Sequence, residues 1–168
     1  MFGFGKKTSF KEGEYVFVSI GSGDSLKIIV GLVEASGENR IKVAGLYIKP
    51  TGLLEKIRSG RVGSRSMEVL SSPHPDNLIH VLLDKVDSGD FHDYVDISNN
   101  AFKIGPKRYT EIDTWLRAGF PELFSVILSP SDSRREEAKK VFMERMNNMQ
   151  DTELKQTVYA IARQLKIF

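Results

Sequence analysis

Residues 61–65 read Arg61-Val62-Gly63-Ser64-Arg65, and residues 96–101 read Asp96-Ile97-Ser98-Asn99-Asn100-Ala101. Two arginines flanking a glycine and a serine suggest a cationic loop rather than a regular element. Paired guanidiniums on such a loop can grip phosphate oxygens or a guanine edge in planar, two-pronged fashion. The second segment reads as a strand running into a tight polar turn. There Asp96 can accept hydrogen bonds, while Ser98 and Asn99 can accept or donate. A cationic clamp facing an acceptor-bearing strand end suits a ligand with both phosphates and purine donors.

In order and separation these two segments resemble the PilZ domain, whose pattern is an RxxxR loop followed by a (D/N)xSxxG strand. The resemblance spans residues 61–130 and implies a small antiparallel β-barrel that binds cyclic di-GMP. It places Arg61 and Arg65 over the nucleotide and Asp96, Ser98 and Asn99 beneath it, with Ala101 at the last motif position. That position is glycine in the pattern, and Gly60 stands where an arginine doublet often begins the first motif. If the last position requires positive φ or a close backbone approach, alanine is costly there. Both departures point to the alternative of a PilZ-related interaction module that has lost the nucleotide. The plainest reading leaves Arg61 and Arg65 as solvated charges and Asp96 and Ser98 as turn formers.

Upstream, residues 14–20 (EYVFVSI), 26–34 and 40–47 are rich in β-branched and aromatic residues. Turn residues separate them, so they read as a meander of two hairpins. With a short helix at 53–60, where Leu53, Leu54 and Ile57 share a face, this makes an N-terminal module over residues 1–60. The same strands could instead join one larger barrel. Phe2, Phe4 and Phe10 interleave with Lys6 and Lys7, which is the composition of a membrane-surface contact or of a frayed terminus.

Between 61 and 130, strands are expected at 66–70, 78–85, 91–98, 101–104 and 123–128, the fourth following a bulge. Asp87-Ser88-Gly89-Asp90 reads as a turn, and Gly105-Pro106 as a break. Trp115 reads as a packing residue or, beside Arg117, as an aromatic shelf. Beyond Pro130 the pattern turns helical, with capping-box spacing from Ser133 to Glu136. Ala138, Val141, Phe142, Met146 and Met149 form one apolar stripe; Leu154, Val158, Ile161, Ala162 and Leu165 form a second behind Asp151. These stripes of the 131–168 extension bury on the barrel or on another chain, which makes the tail a candidate homo-oligomerisation device.

Composition sets outer limits. The 168 residues are 40% hydrophobic and 27% charged, as in an ordinary globular protein, and the net charge of +2 names no partner. With no cysteine, disulfides and thiolate chemistry are excluded. No apolar run approaches the ~20 residues of a membrane span, and no secretory signal is evident; a cytoplasmic location is the expectation. His92, Asp90, Asp93 and His74 are the candidate metal set, yet no HxH or HExxH spacing supports them. No GxSxG elbow or phosphate loop occurs. The pI of 8.8 permits nucleic-acid binding, but aromatics do not interleave with basic residues as stacking platforms require.

The reading is therefore a mainly β chain with α additions and no enzymatic activity, cofactor or metal. It is a cyclic di-GMP-binding effector or adaptor that passes ligand binding to a protein partner, or the nucleotide-free interaction module.

Overall fold

A computed structural model describes residues 9–60, 64–83, 86–97, 100–164 and 166–167, without the side chains of 64–66 and 79. Five strands are present: β1 (Tyr15–Ile20), β2 (Lys27–Ser36), β3 (Arg40–Pro50), β4 (Val86–Asp96) and β5 (Asn100–Ile104). They form one antiparallel sheet in the order β4-β3-β2-β1-β5. The meander thus shares its sheet with the motif-bearing strands rather than standing apart.

The expected closed barrel is corrected to an open sheet, since no ladder joins β4 to β5. The open sheet is nevertheless strongly curled, and the register shows why. Lys103, Val16, Gly31, Gly45 and Phe91 lie in one row across the five strands. Asp96 lies five residues past that row on β4, and Asn100 three residues to the other side on β5. Laid flat, these ends would stand roughly 19 Å apart across the strands and about 26 Å along them. Only four peptide steps separate Asp96 from Asn100, so their Cα atoms lie within ~15 Å. The sheet must roll so that one chain segment, β4 and then β5, edges the meander on both sides.

Inside the roll, Val16, Val18, Ile29, Val33, Ile41, Val43 and Val95 bury one another, with Phe10 as a plug at 2% exposure. Apart from Phe10 every fully buried member comes from a strand. Gly31 faces Gly45 across β2 and β3. A Cβ on Gly45 would sit 2.1 Å from the Val30 carbonyl oxygen, so only glycine fits.

The outer face carries a second core under a helical layer: α1 (Leu53–Arg58), α2 (Ser64–Ser71), α3 (Leu78–Leu82), α4 (Pro106–Arg117), α5 (Phe120–Ile127), α6 (Arg135–Asn147) and α7 (Thr152–Gln164). Four elements here correct the sequence expectation. The 66–70 and 78–85 strands are helices α2 and α3, where Leu78, Val81 and Leu82 bury at helical spacing. The 123–128 strand is α5, whose buried Phe120, Phe124 and Ile127 keep the same period. Gly105-Pro106 is not a break but a helix start, with proline pre-set for the first turn of α4. The Asp87–Asp90 turn is continuous strand within β4.

Trp115, 1% exposed, anchors this layer, with ring centroids 4.8 Å from Phe120 and 5.7 Å from Phe124. It is core, not a shelf. Ala138, Phe142 and Met146 of α6, and Leu154, Val158, Ile161 and Ala162 of α7, join the same cluster. These seven side chains are therefore covered within this chain, while Leu165 lies outside the described residues. Asp151 does cap α7, its Oδ1 accepting from the Leu154 N–H at 3.0 Å. The expected box at Ser133 is absent, since Arg134 takes the N-cap position without a side-chain bond.

Candidate functional site

The helical layer covers the upper part of the outer sheet face, where Leu46 and Ile48 are buried, and stops short of its lower part. There β3 and β4 pair Ala44 with His92, Lys42 with Tyr94, and Arg40 with Asp96. Register partners share a face, so these six side chains lie together on the uncovered surface. Tyr94 is 47% exposed, one of few large apolar side chains so placed among the described residues. The Arg40 guanidinium sits 4.6 Å and the Lys42 ammonium 5.9 Å from its ring centroid. Both lie in cation–π range of the ring. His92 reaches across Ala44 to pair with Glu34 of β2, bounding the patch.

Of the residues singled out from sequence, Arg61, Ser98 and Asn99 lie outside the described residues, as does the Arg65 side chain. Arg65 falls in the first turn of α2, which packs on α1 and α3. Asp96 is exposed at the end of β4, opposite Arg40. Ala101 pairs with Val18 and packs on the inner cluster. Among the described residues Lys166 is the one non-glycine with positive φ, so Ala101 sits in ordinary strand backbone.

Asp96 and the Arg40–Tyr94–Lys42 group are thus one surface. Sequence reading missed the last three, although a signal exists. In Arg40-Ile41-Lys42-Val43 and Tyr94-Val95-Asp96, polar or aromatic residues alternate with buried valines and isoleucine. That alternation marks an outward face.

The histidine–carboxylate metal set does not assemble. His74 packs edge-on against Phe102 at 4.7 Å, His92 pairs with Glu34, and Asp93 faces away from Asp90 and His92. Among the described residues no group of three His, Asp or Glu is placed to hold a metal ion.

A cleft of about 210 Å³ opens between the Pro75–Asn77 turn, α4 and α7, floored by Leu82, Ile112 and Trp115. Its charges answer one another. Arg108 lies 4.0 Å from Asp76 and 3.6 Å from Glu111, and Lys107 pairs with Glu153. It falls below the usual volume of a small-molecule pocket. No helix among the described residues is long and apolar enough to cross a membrane.

No family model matches the chain, and neither a curated protein nor a solved structure is similar to it.

Proposed function

We propose that this chain is a non-enzymatic protein-interaction module of PilZ-like kind, which presents the lower β3–β4 surface to a protein partner. The observation that carries it is the exposed Tyr94 ring clasped by Arg40 and Lys42. Tyrosine and arginine are the residues that most often anchor protein interfaces, because they bring large contact area and directional bonds with few torsions to freeze. The adjacent charges set the selectivity of the patch rather than its strength.

The nucleotide reading is the second one, favoured by a single juxtaposition: the acceptor Asp96 lies directly across from the donor Arg40. Phosphate, however, would approach a strand that carries Asp87, Asp90, Asp93 and Asp96 and no lysine or arginine. Repulsion from Asp90 and Asp96, the two carboxylates on that face, opposes a polyanion there. With Ala101 turned to the interior, the interaction module is the better account.

The test is comparative capture. Bait protein and its Tyr94→Ala and Arg40→Ala variants are cross-linked to cell extract, and retained proteins are compared. A partner held by wild type and lost with both variants, at unchanged circular dichroism, supports the proposal; equal retention by all three overturns it.

A further inference from the structure

We infer that the outer edge of β4 is a docking edge for an extended, lysine- or arginine-rich segment of a partner, which joins the sheet as an added strand. This rests on the interaction-module reading and adds the chemical class of the partner.

The edge is open. β4 ends the strand order, and β3 is the element that packs along it. Two bonds reveal which backbone groups face outward. The Ile97 N–H donates to the Asn39 carbonyl, on the β3 side, at 3.0 Å. The Tyr94 N–H instead meets the Asp93 carboxylate at 2.7 Å. In an antiparallel strand successive residues direct their polar groups to opposite sides. Odd-numbered residues of β4 therefore bond β3, and Ser88, Asp90 and His92 present N–H and C=O groups to the open edge. Below them Asp93 blocks the Tyr94 N–H, so the usable stretch ends there. A row of unpaired backbone groups is a template for strand addition.

Charge selects the occupant. Asp87, Asp90, Asp93 and Asp96 stand along an eleven-residue strand that has no basic residue, on a chain whose net charge is +2. A second copy is disfavoured. With Asp90 opposite its own counterpart, Asp87 would face Asp93, and like charges directly opposed destabilise a ladder. A segment alternating lysine or arginine with β-branched residues lays its cations along one face of the edge, favourably against Asp87 and Asp93 or against Asp90.

The probe is a fluorescent nine-residue peptide alternating lysine and valine, with a glutamate–valine peptide as its counterpart, read by anisotropy against the full chain. Wild type binds the basic probe and not the acidic one. Asp90→Pro removes an outward N–H while sparing the β3 ladder, and it weakens binding by at least about tenfold, the worth of one or two hydrogen bonds. Should Asp90→Pro lose the native circular dichroism, the Asp87→Lys/Asp93→Lys variant decides instead by exchanging the preference to the acidic probe. Equal binding by wild type and both edge variants, equal binding of the two probes, or no binding at millimolar peptide overturns the docking edge. Probe binding that is kept by Asp90→Pro and by Asp87→Lys/Asp93→Lys but lost with Tyr94→Ala overturns the edge, while leaving the interaction module standing on its face.

Discussion

Gly31 and Gly45 face each other across β2 and β3 so closely that a methyl group on either would lie within 2.5 Å of backbone atoms of the other strand. Their row joins Val16 on one side and Phe91 on the other, on the inner face of the roll. The strands approach here closely enough that only glycine fits at either position.

Gly45→Ala must therefore push the two strands apart. The expected loss is about 3 kcal/mol or more, the upper end for overpacking, equivalent to roughly 6–12 °C in Tm for a chain of this size. Gly105→Ser is the contrast. The space around Gly105 is open and it occupies the N-cap of α4, where serine supplies the missing side-chain acceptor. Its Tm should hold or rise slightly in differential scanning calorimetry.

Trp115→Ala leaves a void between Phe120 and Phe124 under α4 and α5. Large aromatic truncations in a core cost ~3–5 kcal/mol. Urea unfolding should show that loss in the midpoint, with little change in slope.

Glu14 fastens the start of β1. Its Oε1 accepts from the Lys11 N–H at 2.6 Å and its Oε2 lies 3.1 Å from the Lys103 ammonium of β5. The Lys11 backbone bond first, and then Lys103, hold its carboxyl below the ordinary value of 4.5. A depressed carboxyl stabilises the fold above the unfolded-state pKa, and that contribution is lost as pH falls through the folded-state value. Glu14→Gln should accordingly lower Tm at neutral pH and show a shallower fall than wild type between pH 4.5 and the acid limb. Parallel curves across that range would remove Glu14 from the account.

Tyr94→Ala alters an exposed position, so its stability should stay within ~1 kcal/mol of wild type. Its effect belongs to binding: capture of the partner falls while the melting curve scarcely moves.

Much of this fold was legible in the chain. Runs such as Tyr15–Ile20 and Arg40–Pro50 carry β-branched residues at every second or third position over much of their length, and the apolar spacing from Ala138 to Met146 repeats at helical period. The short, largely apolar runs at 78–85 and 123–128 fit a strand or a buried helix equally, because six to eight residues contain too few turns to separate the two periods. The tertiary layer decided them. Curling could not be read either. It depends on register between β1 and β5, residues far apart in sequence, and on two glycines whose need appears only once the strands are paired. Of the candidate site, Asp96 was legible from its motif. Arg40 and Lys42 become its neighbours through the β3–β4 ladder, a pairing between distant segments that no local pattern encodes.

Calorimetric titration of the purified chain with cyclic di-GMP bears most directly on the claim that this module works without a nucleotide. The account predicts no saturable heat up to high micromolar ligand, for wild type and for Arg65→Ala alike. Saturable heat in wild type that disappears with Arg65→Ala or Asp96→Ala would contradict it and restore the nucleotide-binding effector.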